Sequence, residues 1–226
     1  VQSTAKNICV FCGSSTGNDP SYLRAAAALG EAIAQCGHRL IFGGGRVGLM
    51  GVVADAVMRG GSEAIGVMTE QLVEREVAHQ GLTELDVQPT MHRRKARMAE
   101  LADGVVVLPG GFGTLDEAFE LLTWNQLGLV SAPVVFLDVN EFAQRTDNPE
   151  TAVRLATHAP GQHLQADGNR VPQSEFIAHS AATGFVKAHQ EAFAQRTDNP
   201  ETAVRLATGH APGQHLQADG NRVPQS

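Results

Sequence analysis

A doubly wound α/β fold, a Rossmann-like parallel sheet flanked by helices, is predicted by three observations. Short Val- and Ile-rich runs alternate with amphipathic helical patterns almost from the start of the chain. The runs lack clean apolar–polar alternation, so both faces of each strand are expected to be covered, as in a parallel sheet. Gly-rich turns, "CGSSTG", "GGGRVG" and "PGGFGT", stand where three of these runs give way to helices. Ligands of open α/β sheets bind at the carboxyl ends of the strands, so these turns mark the expected site.

In chain order, "NICVFCGSS" reads as the first strand and "YLRAAAALGEAIAQCG" as the first helix. "HRLIFGGG" and "GLMGVVADAVMRGG" repeat that pairing, and "EAIGVM" and "LTELDVQ" supply two more strands. The helix "MHRRKARMAELAD" leads into the strand "GVVVLPGG", the helix "TLDEAFELLTWNQLG" and the strand "PVVFLDV". Residues 1–141 are thus expected to form the α/β core.

Past Val139 the pattern breaks. "FAQRTDNPETAVRLATHAPGQHLQADGNRVPQS", Phe142 to Ser174, recurs as Phe193 to Ser226 with one added residue, Gly209. Solenoid repeats diverge in sequence and come in arrays, so two near-identical copies indicate duplication instead. Both copies are polar, carry Pro and Gly and offer few large apolar residues, the composition of loops or disorder. Residues 142–174 are read as an inserted copy and 175–195, around "EFIAHSAATGFVKAHQEAF", as the C-terminal helix of the core. Residues 196–226 are read as a polar tail. The strand "PVVFLDV" is then expected to lead almost directly to that helix.

At 226 residues the chain suits one well-buried core. A net charge of -7 argues against nucleic acid or an anionic membrane, which call for a basic footprint. No apolar run approaches a membrane span and "VQSTAKN" lacks a signal-peptide layout, so the expected location is cytoplasmic. Cys9 and Cys12 spell C-x-x-C, but within "ICVFC" they should point to opposite strand faces rather than open a helix. Of nine histidines, His158, His163, His210 and His215 come from the repeats. His92 lacks neighbours at ligand spacing, so no metal site is expected.

"GGGRVG" matches the dinucleotide pattern G-x-G-x-x-G. Against that reading, it follows the second strand, and Glu63 begins the next strand instead of ending it. "PGGFGT" can hold an anion on free helix amides, or be a tight turn in which Thr114 and Glu117 form a capping box. Both readings stand on this motif alone. "MHRRKARMAEL" adds a constraint, because Met91, Arg94, Met98 and Leu101 share one helix face. A guanidinium among apolar neighbours needs an anionic partner, whereas Arg93 and Arg97 suit a solvated face.

"MHRRK" followed by "PGGFGTLDE", together with "FCGSS", "FGGGRVGLMG" and "LLTWNQLG", resembles the LONELY GUY family of cytokinin riboside 5′-monophosphate phosphoribohydrolases, long labelled lysine decarboxylase-like. The resemblance runs from about Asn7 to Val139. It implies Arg94 and Glu117 as the catalytic pair. It also implies that the 1–141 core binds a nucleotide, at a site lined by Glu76, Lys95, Gly110, Gly111, Phe112, Gly113, Thr114, Leu115, Asp116 and Thr123, with Ser14 and Gly44 from the other two turns. The substrate is expected to be AMP or a cytokinin riboside monophosphate, cleaved to base and ribose 5-phosphate by a homodimer without a cofactor.

The residues suit that chemistry, since N-glycosidic hydrolysis passes through an oxocarbenium-like state that a carboxylate stabilises. The decarboxylase label would instead require a Schiff-base lysine, and the chain offers only Lys6, Lys95 and Lys187. A non-catalytic nucleotide or cofactor carrier of the same fold is the remaining alternative, though it has less need of a carboxylate beside a ribose.

Overall fold

The computed structural model describes residues 5–75, 78–139 and 194–208. The elements are β1 (Asn7–Phe11), α1 (Pro20–Gln35), β2 (Arg39–Phe42), α2 (Gly48–Arg59), β3 (Ala64–Thr69), α3 (Glu70–Glu74) and β4 (Glu84–Gln88). They continue with α4 (Met91–Leu101), β5 (Gly104–Val107), α5 (Phe112–Gln126), β6 (Val134–Leu137), β7 (Ala194–Thr197) and α6 (Pro200–Ala207). The strands form one parallel sheet in the order β4-β3-β2-β1-β5-β6-β7. The chain winds outward from β1 to β4, then returns to the other side of β1 with β5. The crevice between the carboxyl ends of β1 and β5 is therefore the topological switch point where ligands of this class bind.

Strand periodicity divides the core in two. On one face, Ile8, Val10, Leu40, Phe42, Val106 and Val135 pack under Leu29 and Ile33 of α1 and Val53 and Val57 of α2. On the other, Cys9, Phe11, Ile41, Val67, Val105 and Val134 pack under Met98 of α4 and Leu121 of α5. Each large side chain removed from water contributes about 1.5–3 kcal/mol, so burial on both faces explains the lack of alternation in the strand sequences. Cys9 and Cys12 sit in opposite clusters, and all three cysteines are free.

Local signals set the helix starts. The Asp19 carboxylate accepts from the Ser21 N–H and Pro20 takes the first position of α1, two residues before the expected start. The Thr90 hydroxyl accepts from the Arg93 N–H and begins α4 where expected, at Met91.

The polar tail expected from residue 196 is corrected in its first part, because β7 and α6 occupy Ala194–Thr197 and Pro200–Ala207. Asn199 caps α6 through the Thr202 N–H and Pro200 opens it, while Ala203, Val204 and Ala207 are buried. This contact is built from small residues: a Cβ at Gly104 would lie 1.7 Å from the Ala207 carbonyl oxygen. Low apolar bulk therefore concealed a packed helix. Residues 143–157 carry the same sequence as 194–208 but follow β6 after only a few residues. The second copy supplies β7, and its distance along the chain from β6 exceeds the crossover of about a dozen residues that a parallel partner needs. The expected inserted copy at 142–174 lies outside the described residues, as does the expected 175–195 helix up to residue 193; its last two residues belong to β7. Among the described residues, no helix is long and apolar enough to cross a membrane.

Candidate active site

The three Gly-rich turns meet at the switch point. The Gly13 N–H donates to the Pro109 carbonyl at 3.1 Å, and the Leu49 N–H donates to the Gly13 carbonyl at 3.0 Å. Gly48, in the left-handed region at φ 68°, lets α2 start against the Ser14 backbone, whose carbonyl carbon would lie 2.3 Å from a Cβ there. Around this junction opens a cleft of about 270 Å³ lined by Val10, Cys12, Ser14, Gly43, Met50, Arg94, Gly111, Phe112, Gly113, Thr114 and Glu117. A hollow of about 250 Å³ adjoins it, shares Ser14 and Gly111, and is lined further by Gly13, Ser15, Thr16, Gly17, Tyr22, Leu49, Pro109 and Gly110.

The start of α5 corrects the capping-box expectation. The helix begins at Phe112, and its N-cap is Gly111, which has no side chain to cap with. Thr114 therefore lies inside the first turn, buried at 5% exposure, and its hydroxyl fills the space a Cβ on Gly110 would need. The first intrahelical bond of the turn runs from the Leu115 N–H to the Gly111 carbonyl at 3.2 Å. The amides before it have no partner within the helix, and Gly111 to Thr114 line the cleft. Free N–H groups and the positive end of a helix dipole thus face the cavity, an arrangement that favours an anion.

Below this turn lies the ion pair. Arg94, 7% exposed, projects from α4 into the interior as its helix face predicts. Its Nε–H donates to the Val67 carbonyl at 2.8 Å and its Nη1–H to Glu117 Oε1 at 2.9 Å. Nη1 also reaches Met91 Sδ at 3.4 Å. Met98 is buried on the same face, but Met91 is 47% exposed. Burial pushes the Glu117 carboxyl above the usual glutamate range, although the Arg94 charge and hydrogen bond pull the other way. The thiols of Cys9 and Cys12 are raised as well, first by burial and then by the nearby Glu117 charge. The result is a largely buried carboxylate with a raised proton affinity, open to the cleft, beside a fixed guanidinium. Such a group can take a proton from water or face a developing positive charge.

Of the residues expected at a nucleotide site, Ser14, Arg94, Gly111, Phe112, Gly113, Thr114 and Glu117 line the cleft, and Gly110 lines the adjoining hollow. Lys95 points elsewhere: its ammonium is held by Asp116 at 2.9 Å and Glu120 at 2.8 Å. Leu115 and Thr123 are not among the lining residues, and the Thr123 hydroxyl donates to the Phe119 carbonyl within α5. Gly44, at φ 77°, packs against Met68 beside the cleft, whose wall is formed by Gly43. Glu76 lies outside the described residues. The wall residues Val10 and Met50 carry no motif chemistry, and Cys12 and Gly43, though they open two of the Gly-rich turns, offer no side chain whose chemistry points to a ligand. The place of Cys12 and Gly43 as the first residues of "CGSSTG" and "GGGRVG" was the available signal.

"GGGRVG" follows β2, the strand beside β1, rather than β1 or β5 themselves, and Arg94, Met68 and Met50 crowd its first three glycines. This packing leaves little reason for a dinucleotide there. Neither described lysine enters the cleft, since the Lys6 ammonium donates to the Thr208 carbonyl and Lys95 is paired as above. A Schiff base has no place among these residues.

Comparison with known proteins places these features in a wider group. A family model described as "Possible lysine decarboxylase" matches residues 50–150. The cytokinin riboside 5′-monophosphate phosphoribohydrolase of Rhodococcoides fascians is 49% identical over 140 residues, covering 62% of this chain and 71% of that protein. Its Arabidopsis thaliana counterpart LOG7 is 46% identical over 141 residues, covering 62% of this chain and 65% of that protein. The chain thus spans about two thirds of the length of these relatives. Among solved structures, the molybdenum cofactor binding protein of Rippkaea orientalis aligns with a TM-score of 0.58 at 19% identity, covering 92% of this chain and 98% of that one. Likeness at that identity speaks to the fold alone.

Proposed function

This chain belongs to the cytokinin riboside 5′-monophosphate phosphoribohydrolase family, and from that premise we propose that it hydrolyses the N-glycosidic bond of AMP or of an N6-substituted adenosine monophosphate. The observation that carries the reading is the buried Arg94–Glu117 pair, 2.9 Å apart, beneath an α5 start that lacks a side-chain cap. In this reading the 5′-phosphate rests on the first amides of α5, with the Ser14 hydroxyl in reach. The ribose then lies over Glu117.

As the bond to the base lengthens, positive charge develops at C1′, and the Glu117 carboxylate stabilises it. Water attacks C1′ and gives its proton to Glu117, while the bond's electron pair leaves with the base, which is protonated in turn. Arg94 holds Glu117 in place and offers its forked donors to ribose or phosphate. The raised proton affinity of Glu117 suits both halves of that transfer.

The direct test is incubation with AMP. Equal amounts of free adenine and ribose 5-phosphate are expected, and intact AMP after prolonged incubation would overturn the reading.

A homodimer is part of the same proposal. Met91 of α4 and Phe112, Phe119 and Leu127 at α5 are exposed at 47%, 90%, 39% and 66%. A second copy covering this region would remove their apolar surface from water and lie beside the cleft mouth. Light scattering during gel filtration should then give twice the chain mass.

A further inference from the structure

We propose that Gly43 is a positioning residue for Arg94, a role that rests on Arg94 and Glu117 being the reacting pair. Gly43 follows β2 directly, and its backbone is not in the left-handed region, so no conformational demand requires glycine there. Space does. A Cβ at this position would lie 2.4 Å from Arg94 Nη2 and 3.1 Å from Met50 Sδ. The other end of the guanidinium is already fixed, Nε on the Val67 carbonyl and Nη1 on Glu117. Glycine leaves the room into which the remaining nitrogen fits, and so sets where the fork stands relative to the carboxylate.

Gly45 also meets only a side-chain tip, Met50 Cε at 2.8 Å, but no charged group; other glycines differ in kind. Gly44 and Gly48 are left-handed, and Gly51 and Gly104 face backbone atoms at 2.2 and 1.7 Å, so a side chain there strains the fold itself. At Gly43 the nearest obstacle is the tip of a long side chain. A methyl group there is accommodated by moving the guanidinium about 1 Å rather than the main chain, and displacements of that size at a reacting centre cost about 100-fold in rate. The first glycine of the dinucleotide-like turn therefore serves an arginine from another helix.

The consequence for Glu117 is specific. The charged groups acting on its carboxyl are Arg94 and Lys95 from α4 and Asp116 on its own helix, while the thiols of Cys9 and Cys12, on the β1 side, are raised by burial and by the Glu117 charge and so stay neutral. Arg94 is the main stabiliser of the charged form among them. Moving it away shifts the protonation of Glu117 to higher pH.

The test is the pH profile of AMP hydrolysis in Gly43→Ala, with Gly104→Ala as a control that is strained far from the cleft. Gly43→Ala is expected to lower kcat about 100-fold at neutral pH, to change KM less, and to move the acid limb of the kcat profile upward. Gly104→Ala is expected to lower Tm without moving that limb. Wild-type kcat with an unmoved limb in Gly43→Ala would overturn the proposal. Should Gly43→Ala also lose stability, the same change is made in Arg94→Lys, whose shorter side chain lacks the clashing nitrogen. The added loss of Tm then disappears if the contact is with Arg94; an equal loss in both backgrounds would overturn the proposal. Wild-type turnover in both Arg94→Ala and Glu117→Gln would instead remove the catalytic reading on which the inference rests.

Discussion

Two ionic links join α4 to α5 through consecutive residues, and they differ in almost everything except length. Arg94 meets Glu117 at 2.9 Å, and Lys95 meets Asp116 at 2.9 Å and Glu120 at 2.8 Å. The first link is inside: side-chain exposures are 9% for Arg94 and 14% for Glu117, and both residues line the cleft. The second lies nearer the surface: Lys95 is 15% and Glu120 24% exposed, but Asp116 is 62% exposed, and none of the three lines the cleft. In the first, burial dominates and raises the carboxyl's proton affinity despite the guanidinium. In the second, burial of the ammonium works against its charge, but the hydrogen bonds and charges of Glu120 and Asp116 carry Lys95 above its usual range. Equal distances thus conceal unequal tasks. In the proposed reaction the inner pair handles the proton, and the outer one fastens the helices that hold it.

That contrast breaks most severely if Arg94 is removed. Arg94→Ala leaves a carboxylate buried without its partner, which costs about 3 kcal/mol or more when the group is charged. Its proton affinity then rises further, so the folded state holds a proton that the unfolded state has released, and stability falls as pH rises. Thermal melts are expected to show a large deficit near pH 8 that shrinks near pH 5, with kcat down about 10²–10⁴-fold. A deficit independent of pH would mean that the pair carries no buried charge.

Next in size is the pH response of the unaltered protein. Because the Glu117 carboxyl sits above the ordinary glutamate range, activity should be lost on acidification at a pH above that range. An acid limb at or below the ordinary glutamate value would contradict the assignment of Glu117.

The outer link should respond weakly. Lys95→Met is expected to reduce kcat/KM less than tenfold and to lower stability by about 1 kcal/mol or less, as partly exposed ion pairs do. A loss matching that of Arg94→Ala would move Lys95 into the substrate site. Asp116→Asn is the smallest change: Glu120 still holds the ammonium, so rate and Tm should remain near wild type in parallel assays.

The same contrast shows what the sequence made legible. Arg94 was identifiable because a charge on the apolar face of "MHRRKARMAEL" requires a partner, and Glu117 is that partner. Lys95 and Asp116 occur in the same motifs, and nothing in spacing alone separates residues that enter the cleft from residues that brace it. Strands β1, β2, β3, β5 and β6 were legible from their apolar, mostly Val- and Ile-rich runs, since burial on two faces selects that composition, whereas the edge strand β4, "ELDVQ", is partly exposed and was legible from its place in the alternation. β7 and α6 were not, because Ala203, Ala207 and Gly104 pack through close approach rather than bulk. Their local signals, Asn199 before Pro200, were present but outweighed by polar surroundings. The role of Gly43 depends on a contact between the end of β2 and a helix far along the chain, which no local pattern encodes.

The most direct measurement pairs calorimetric AMP binding with single-turnover hydrolysis in Glu117→Gln, which keeps the shape of the side chain and removes its charge. The predicted result is AMP affinity within about tenfold of wild type, with hydrolysis slower by about 10²–10⁴-fold, the range typical for loss of a general base. Hydrolysis at the wild-type rate, or loss of binding that alone accounts for the lost activity, would contradict the placement of Glu117 at the reacting ribose.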